Sequence, residues 1–94
     1  MKAIQANFGE GQVDVFFKAR NLDQMDRVIK AESDGNVEVL VVTILTRCLN
    51  EHGALMFSES DRKKIRKDFD PIEVIRVCRL IREFDESHEN GLGK

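Results

Sequence analysis

The sequence predicts an α+β fold that is mainly α-helical, with about four helices packed as one small helical domain behind a short N-terminal β-strand or hairpin. Residues 12–18 alternate apolar and polar side chains as strands do, whereas apolar residues in 21–86 recur at the spacing of helices. A chain of 94 residues is long enough for one domain. We expect a single globular domain over 1–86 (strand or hairpin in 1–20, helices in 21–86) and a disordered tail over 87–94.

The composition is typical of a soluble globular protein, with 41% hydrophobic and 34% charged residues. The net charge of −2 gives no general attraction to nucleic acid or anionic lipid. No apolar run approaches the roughly 20 residues that cross a bilayer, and the N-terminus lacks the apolar block of a secretory signal. Cys48 and Cys78 lie within apolar helical patterns. We therefore expect two buried, reduced thiols and a cytoplasmic protein.

The first predicted element is a strand over QVDVFFK, in which Val13, Val15 and Phe17 share one side. Gly9 and Gly11 precede the strand as turn residues. KAIQANF is therefore a candidate partner strand, and the resulting hairpin must pack against the helices because two strands alone are marginally stable.

The first predicted helix begins near Leu22 with Asn21 as its N-cap. It ends at the sequence SDGN, where Gly35 is available for a left-handed backbone conformation. Its predicted buried face carries Leu22, Met25, Val28 and Ile29.

The central helix is predicted from NVEVLVVTILTRCLNEH, and Gly53 is positioned to end it. Val39 and Val42 add apolar surface outside its main stripe, so we expect this helix to be covered on more than one side. The stripe itself consists of Val37, Leu40, Val41, Ile44, Leu45, Cys48 and Leu49.

The connection that follows contains a Leu-Met-Phe cluster, although connections usually face water. Ser58 and Asp61 form a variant of the capping box. Phe57 has no apolar partner within that cap, so we expect it to pack against the central helix. The predicted anchors of this connection on the core are Gly53, Phe57, Ser58 and Asp61.

Two helices complete the prediction. SESDRKKIRKDF predicts a short basic helix with Ile65 and Phe69 directed inward, and residues 70–71 supply an aspartate N-cap and a proline for the start of the last helix. Ile72 and Ile75 project away from the inner face of that helix. The inner face comprises Val74, Val77, Cys78, Ile81 and Phe84.

Few residues are suited to catalysis or metal binding. Cys48 and His52 lie four apart on one helix face, which is half of a zinc site, but the second histidine, His88, lies in the predicted tail. Neither cysteine has a flanking glycine turn or a basic neighbour on its own helix face that would activate a nucleophile. We therefore expect a protein that is not an enzyme, with no catalytic residues, no metal and no cofactor.

The sequence RKKIRK within a helix–turn–helix pattern suggests nucleic-acid binding. Acidic residues beside this basic run and on the last helix reduce that attraction, so no nucleic acid is expected. A solvated helix face and a docking site for an acidic protein segment are the other interpretations. The basic run comprises Arg62, Lys63, Lys64, Arg66 and Lys67.

A protein-interaction surface is a second candidate, because Ile72 and Ile75 are too apolar for a fully solvated face and arginine is enriched in interfaces. Packing of these isoleucines against the N-terminal strands explains them equally well. If the strip is a surface, the central helix extends it and arginines form its rim. The candidate residues are Val39, Val42, Ile72, Ile75, Arg76, Arg79 and Arg82.

The stretches VDVFFKARNLDQMDRV and VTILTRCLNEHGALMFSESDRKKI resemble the tail assembly chaperones of long-tailed, non-contractile, lambda-like bacteriophages. The resemblance covers roughly residues 12–86, and His52 stands where that family often has another acidic or polar residue. The positions that match the family pattern are Glu51, Gly53, Phe57, Ser58, Glu59, Asp61 and Ile65.

This resemblance implies a non-enzymatic chaperone that binds the phage tape measure protein, keeps it soluble and promotes polymerisation of the tail tube protein around it. It also implies self-association into a homo-oligomer, a location in the host cell cytoplasm, absence from the mature virion and no membrane partner. The family commonly produces a longer form by a frameshift near the end of the gene. Gly93 and Lys94 are compatible with the slippery codon run that such a frameshift requires. A small nucleic-acid-binding regulator and a structural tail-completion or connector protein are the alternatives.

Overall fold

The structure is a computed structural model that describes residues 1–92, with side chains as far as Ser87. It confirms the predicted α+β class, with a two-stranded antiparallel hairpin followed by four helices. The elements are β1 (Lys2–Asn7), β2 (Gln12–Phe17), α1 (Leu22–Glu32), α2 (Asn36–Arg47), a 3-10 turn (Glu59–Asp61), α3 (Arg62–Lys67) and α4 (Pro71–Leu92).

The hairpin forms as predicted, with β1 and β2 paired from Lys2–Phe17 to Asn7–Gln12. The Asn7 side-chain oxygen accepts hydrogen bonds from the Gly9 and Gly11 N–H groups, at 2.9 and 3.3 Å, which closes the turn. The inner face of the hairpin lies on the helical layer, because Val15 and Phe17 are fully buried there.

Helix α1 begins as predicted, with the Asn21 and Gln24 side chains each accepting from the other's backbone N–H at 2.9 Å. Its predicted buried face is wrong in part, because Leu22 is 80% exposed and Ile29 is 61% exposed. The helix instead places Ala31 in the core. Gln24 also donates to the Thr46 carbonyl, at 3.0 Å, so α1 runs antiparallel to α2.

Helix α2 is central, but it ends at Arg47 and not at the predicted residue 52. Cys48 is extended, and Leu49 exchanges two backbone hydrogen bonds with Phe16, at 2.8 and 2.9 Å. The chain therefore leaves the helix to pair with the outer edge of β2. Gly53, with φ of +82°, serves the tight turn closed by its N–H bond to the Asn50 carbonyl.

The connection between α2 and α3 is packed onto the domain as predicted, with Phe57 against the core cluster to which α2 contributes. Phe57 makes edge contacts with Phe8 and Phe69, at 6.0 and 5.4 Å between ring centres, and Phe8 stacks on Phe69 at 4.8 Å. The cluster therefore joins the hairpin turn to the start of α4. The predicted Ser58–Asp61 cap is present, with the Ser58 N–H donating to the Asp61 carboxylate at 2.8 Å.

Helix α4 starts at the predicted cap, where Asp70 accepts from the Ile72 N–H at 3.0 Å. The disordered tail predicted from residue 87 is wrong over 87–92, because α4 continues to Leu92. No proline or glycine interrupts the helix between Pro71 and Gly91. The buried Asp85 holds α4 on the domain close to residue 86, where the domain was expected to end. Residues 93–94, the remainder of that predicted tail, lie outside the described residues.

A candidate helix-binding groove

A groove of about 400 Å³ lies between α1 and α4, with α2 as its floor. Helix α4 runs parallel to α2, because Cys78 lies against the Leu40 carbonyl and Asp85 against Arg47. Helix α1 is therefore antiparallel to both. The residues that line the groove include Val28, Val39, Leu40, Ile75, Arg79 and Arg82.

The two ends of the groove differ in chemistry. One end is apolar and is formed by Val28, Val39 and Ile75, with Glu32 of α1 beside them. The other end is formed by the beginning of α1 and the middle of α4, residues 79–85, and it carries the cationic side chains. Arg79 and Arg82, three residues apart on α4, lie on its wall.

A buried ion pair closes the cationic end. Arg47 donates to both carboxylate oxygens of Asp85, at 2.7 and 2.6 Å, and to the Lys18 carbonyl at 2.8 Å. Arg20 lies 4.0 Å from the same carboxylate. Because Arg47 and Asp85 neutralise each other, the other arginines of the lining determine the charge at this end.

The pairing of Arg47 with Asp85 was not predicted from the sequence. A signal was available, because Arg47 lies three residues after Ile44 and Asp85 lies four residues after Ile81. Each charge therefore extends the apolar face of its helix by one turn. Opposite charges on two buried faces are a reason to expect a partnered pair, since unpaired buried charges are strongly disfavoured.

The predicted interaction residues separate into three groups. Val39 and Ile75 line the groove, and Ile75 is 47% exposed. Ile72 is 74% exposed but does not belong to the groove lining. Val42 is only 5% exposed, so its assignment to the surface is wrong: the central helix is covered on that side as well.

The three predicted rim arginines also differ. Arg79 and Arg82 line the groove. Arg76 points to the hairpin, where it donates to the Gln5 carbonyl at 2.6 Å and pairs with Glu73. Its assignment to the rim is therefore wrong, because Arg76 joins α4 to β1.

Helix α1 contributes apolar surface that was predicted to lie in the core. Leu22, Met25 and Ile29 recur at spacings of three and four, which puts them on one side of the helix. With about 100° between successive residues, Met25 is the member of this set that lies nearest to Val28 on the groove wall. The apolar wall of the groove therefore continues over α1 onto an exposed strip.

The basic run is partly neutralised by neighbouring carboxylates. Glu38 of α2 pairs with Arg62 and Arg66, Glu59 pairs with Arg62, and Glu10 pairs with Lys64 at 2.5 Å. The hydrogen bond to Glu10 raises the pKa of Lys64. Three of the five basic side chains are therefore held by acids, and the exposed pair Lys63 and Lys67 have no ion pair with the described residues.

Both thiols are buried and free. Burial raises the pKa of Cys48 far above its usual value and that of Cys78 to about 12, so both remain protonated at neutral pH. The described residues contain no group of three or more histidine, cysteine or acidic side chains arranged to hold a metal ion. No helix within residues 1–92 is long and apolar enough to cross a membrane.

Comparison of the chain with protein-family models, with curated proteins and with solved structures produced no match in any of the three.

Proposed function

We propose that this protein is a non-enzymatic tail assembly chaperone of a long-tailed, non-contractile bacteriophage. It binds the tape measure protein, keeps it soluble and promotes polymerisation of the tail tube protein around it. It acts in the host cytoplasm, self-associates into a homo-oligomer and is absent from the mature virion. The resemblance over roughly residues 12–86 supports this proposal.

The observation that carries the proposal is the open groove between α1 and α4. A long helical client requires a surface that accepts a helix, and an apolar groove bordered by charged side chains is a common solution. The exposed apolar residues Leu22, Ile29 and Ile72 add to this surface beyond the groove.

The direct test is co-expression with the tape measure protein of the same genome. We expect the tape measure protein to be soluble and to co-purify with the wild-type chain. The double variant Arg79→Glu/Arg82→Glu, with unchanged circular dichroism, is expected to lose most of this capture. Lys63→Glu/Lys67→Glu has the same change in charge outside the groove and is the matched control. Absence of any co-purification with the wild-type chain would reject the proposal.

The alternatives predict different results. A nucleic-acid-binding regulator would shift duplex DNA of unrelated sequence through the basic run, but the pairing of Glu38, Glu59 and Glu10 with that run supports weak binding at most. A connector or tail-completion protein would be found in purified particles by mass spectrometry, from which an assembly chaperone would be absent.

A further inference from the structure

We infer that the groove binds an amphipathic helix with an acidic edge, supplied by another protein. This inference deepens the proposed function, on which it rests, by specifying the chemistry of the client segment. It depends on the shape of the groove and on the difference in charge between its two ends.

The shape fits one helix. Helices α1 and α4 lie on α2 and leave an open channel between them, so a further helix placed there would cover the partly exposed floor at Val39 and Leu40. Along α4, the lining extends from Ile75 to Asp85, a length of about 15 Å, which corresponds to about three turns of a bound helix.

The charges determine which helix fits. Arg79 approaches a carboxylate only at 4.0 Å, from the exposed Glu83, and Arg82 forms no ion pair within the described part of the chain. Because these arginines are three residues apart, they match two acidic residues at a spacing of three or four on a bound helix. At the opposite end, the carboxylate of Glu32 would repel acidic residues of a bound helix. The acidic edge of that helix must therefore lie at the arginine end of the groove.

The apolar end then accepts the remainder of the client. Val28, Val39 and Ile75 come from three different helices and form a continuous apolar wall and floor there. The occupant is therefore apolar on the face toward α2 and acidic on the edge toward the middle of α4, where Arg79 and Arg82 lie. A basic or neutral amphipathic helix has the same apolar face but lacks the partners for Arg79 and Arg82.

Fluorescein-labelled helical peptides of about 16 residues test this inference by fluorescence anisotropy with the full chain. One peptide carries leucines on one face and two glutamates three residues apart on the adjacent edge, and a matched peptide carries lysines in place of the glutamates. We expect the wild-type chain to bind the glutamate peptide about tenfold more tightly than the lysine peptide. Arg79→Glu/Arg82→Glu is expected to reverse this preference, and Arg79→Gln/Arg82→Gln to abolish it. Lys63→Glu/Lys67→Glu is expected to preserve it.

Equal binding of the two peptides by the wild-type chain would overturn the inference, as would a preference that persists in Arg79→Glu/Arg82→Glu. It would also be overturned if sedimentation showed a wild-type oligomer that excludes both peptides and that the double variant dissociates, since a second copy would then occupy the groove. Capture of the tape measure protein without a peptide preference rejects the groove chemistry alone. A peptide preference without capture supports the groove chemistry and rejects the chaperone role alone.

Discussion

Arg47 and Asp85 form a two-point ion pair inside the domain, with nitrogen–oxygen distances of 2.6 and 2.7 Å and side chains only 5% and 6% exposed. The pair joins the end of α2 to α4. The hydrogen bond from Arg47 to the Lys18 carbonyl also connects the segment between β2 and α1 to this pair. Three parts of the chain therefore meet at one buried charge pair beneath the cationic end of the groove.

Asp85→Ala is expected to destabilise the protein by about 3 kcal/mol or more, because it leaves the Arg47 guanidinium buried without a counter-ion. The free energy of unfolding in urea measures this loss. Glu83→Ala, an exposed position two residues earlier on the same helix, is the control, and its expected effect is within about 0.5 kcal/mol. A loss below about 1 kcal/mol for Asp85→Ala would contradict the importance assigned to the pair.

Replacing both partners separates the cost of an unpaired charge from the value of the pair. Arg47→Met/Asp85→Leu removes both charges and leaves apolar side chains in the same region. We expect this double variant to be more stable than Asp85→Ala in the same urea measurement, because no buried charge remains unpaired. A double variant less stable than Asp85→Ala would indicate that the pair contributes more than charge compensation.

Local signals explain the parts of the fold that the sequence predicted well. The Asn21 cap of α1, the Asp70 cap of α4 and the hairpin turn all depend on residues only a few positions apart. The end of α2 depends on a distant segment, because Leu49 pairs with Phe16 of β2. Periodicity alone extended that helix by five residues, since apolar residues continue to Leu49.

Only the α4 wall of the groove could be predicted from the sequence, because the other wall also depends on contacts between distant segments. Ile75 and Arg79 were identified from α4 alone, because they lie off its apolar face. The opposite wall depends on which side of α1 packs on α2, and apolar residues occur around much of that helix. The structure places Ala31 in the core and leaves Leu22 and Ile29 exposed, a choice that the spacing of residues in α1 does not determine.

The phenylalanine cluster predicts which residues of the α2–α3 connection stabilise the domain. Phe57→Ala is expected to cost about 2 kcal/mol, less than the full cost of burying a phenylalanine, because Phe57 is only partly buried against Phe8 and Phe69. Leu55→Ala in the same connection is the control. Leu55 is mostly exposed, so its expected cost is within about 0.5 kcal/mol. Equal losses for the two variants in urea would contradict the proposed anchoring.

The ion pairs of Glu38 are expected to contribute less to the free energy of unfolding than the buried pair of Arg47 and Asp85. Glu38 lies in the first turn of α2, where a negative charge is favourable, and it holds Arg62 and Arg66 of α3. We expect Glu38→Gln to cost about 1 kcal/mol and to cost less at high salt, because both arginines are partly exposed. Glu51→Gln removes the same charge at an exposed position and is expected to have little effect. A salt-independent loss would exclude the electrostatic explanation.

The buried thiols predict a loss of stability at alkaline pH. Burial raises the pKa of both Cys48 and Cys78 above the ordinary value of 9.0, so above that pH the unfolded chain releases thiol protons that the folded chain retains. Ionisation therefore favours the unfolded state, and the free energy of unfolding falls as pH rises. Between about pH 8 and about pH 10, the wild-type chain is expected to lose about 2.7 kcal/mol more than Cys48→Ala/Cys78→Ala. Urea unfolding across this range measures the difference, which is independent of the lysines common to both proteins. Parallel stability profiles for the two proteins would show that the thiols ionise as readily in the folded chain as in the unfolded one.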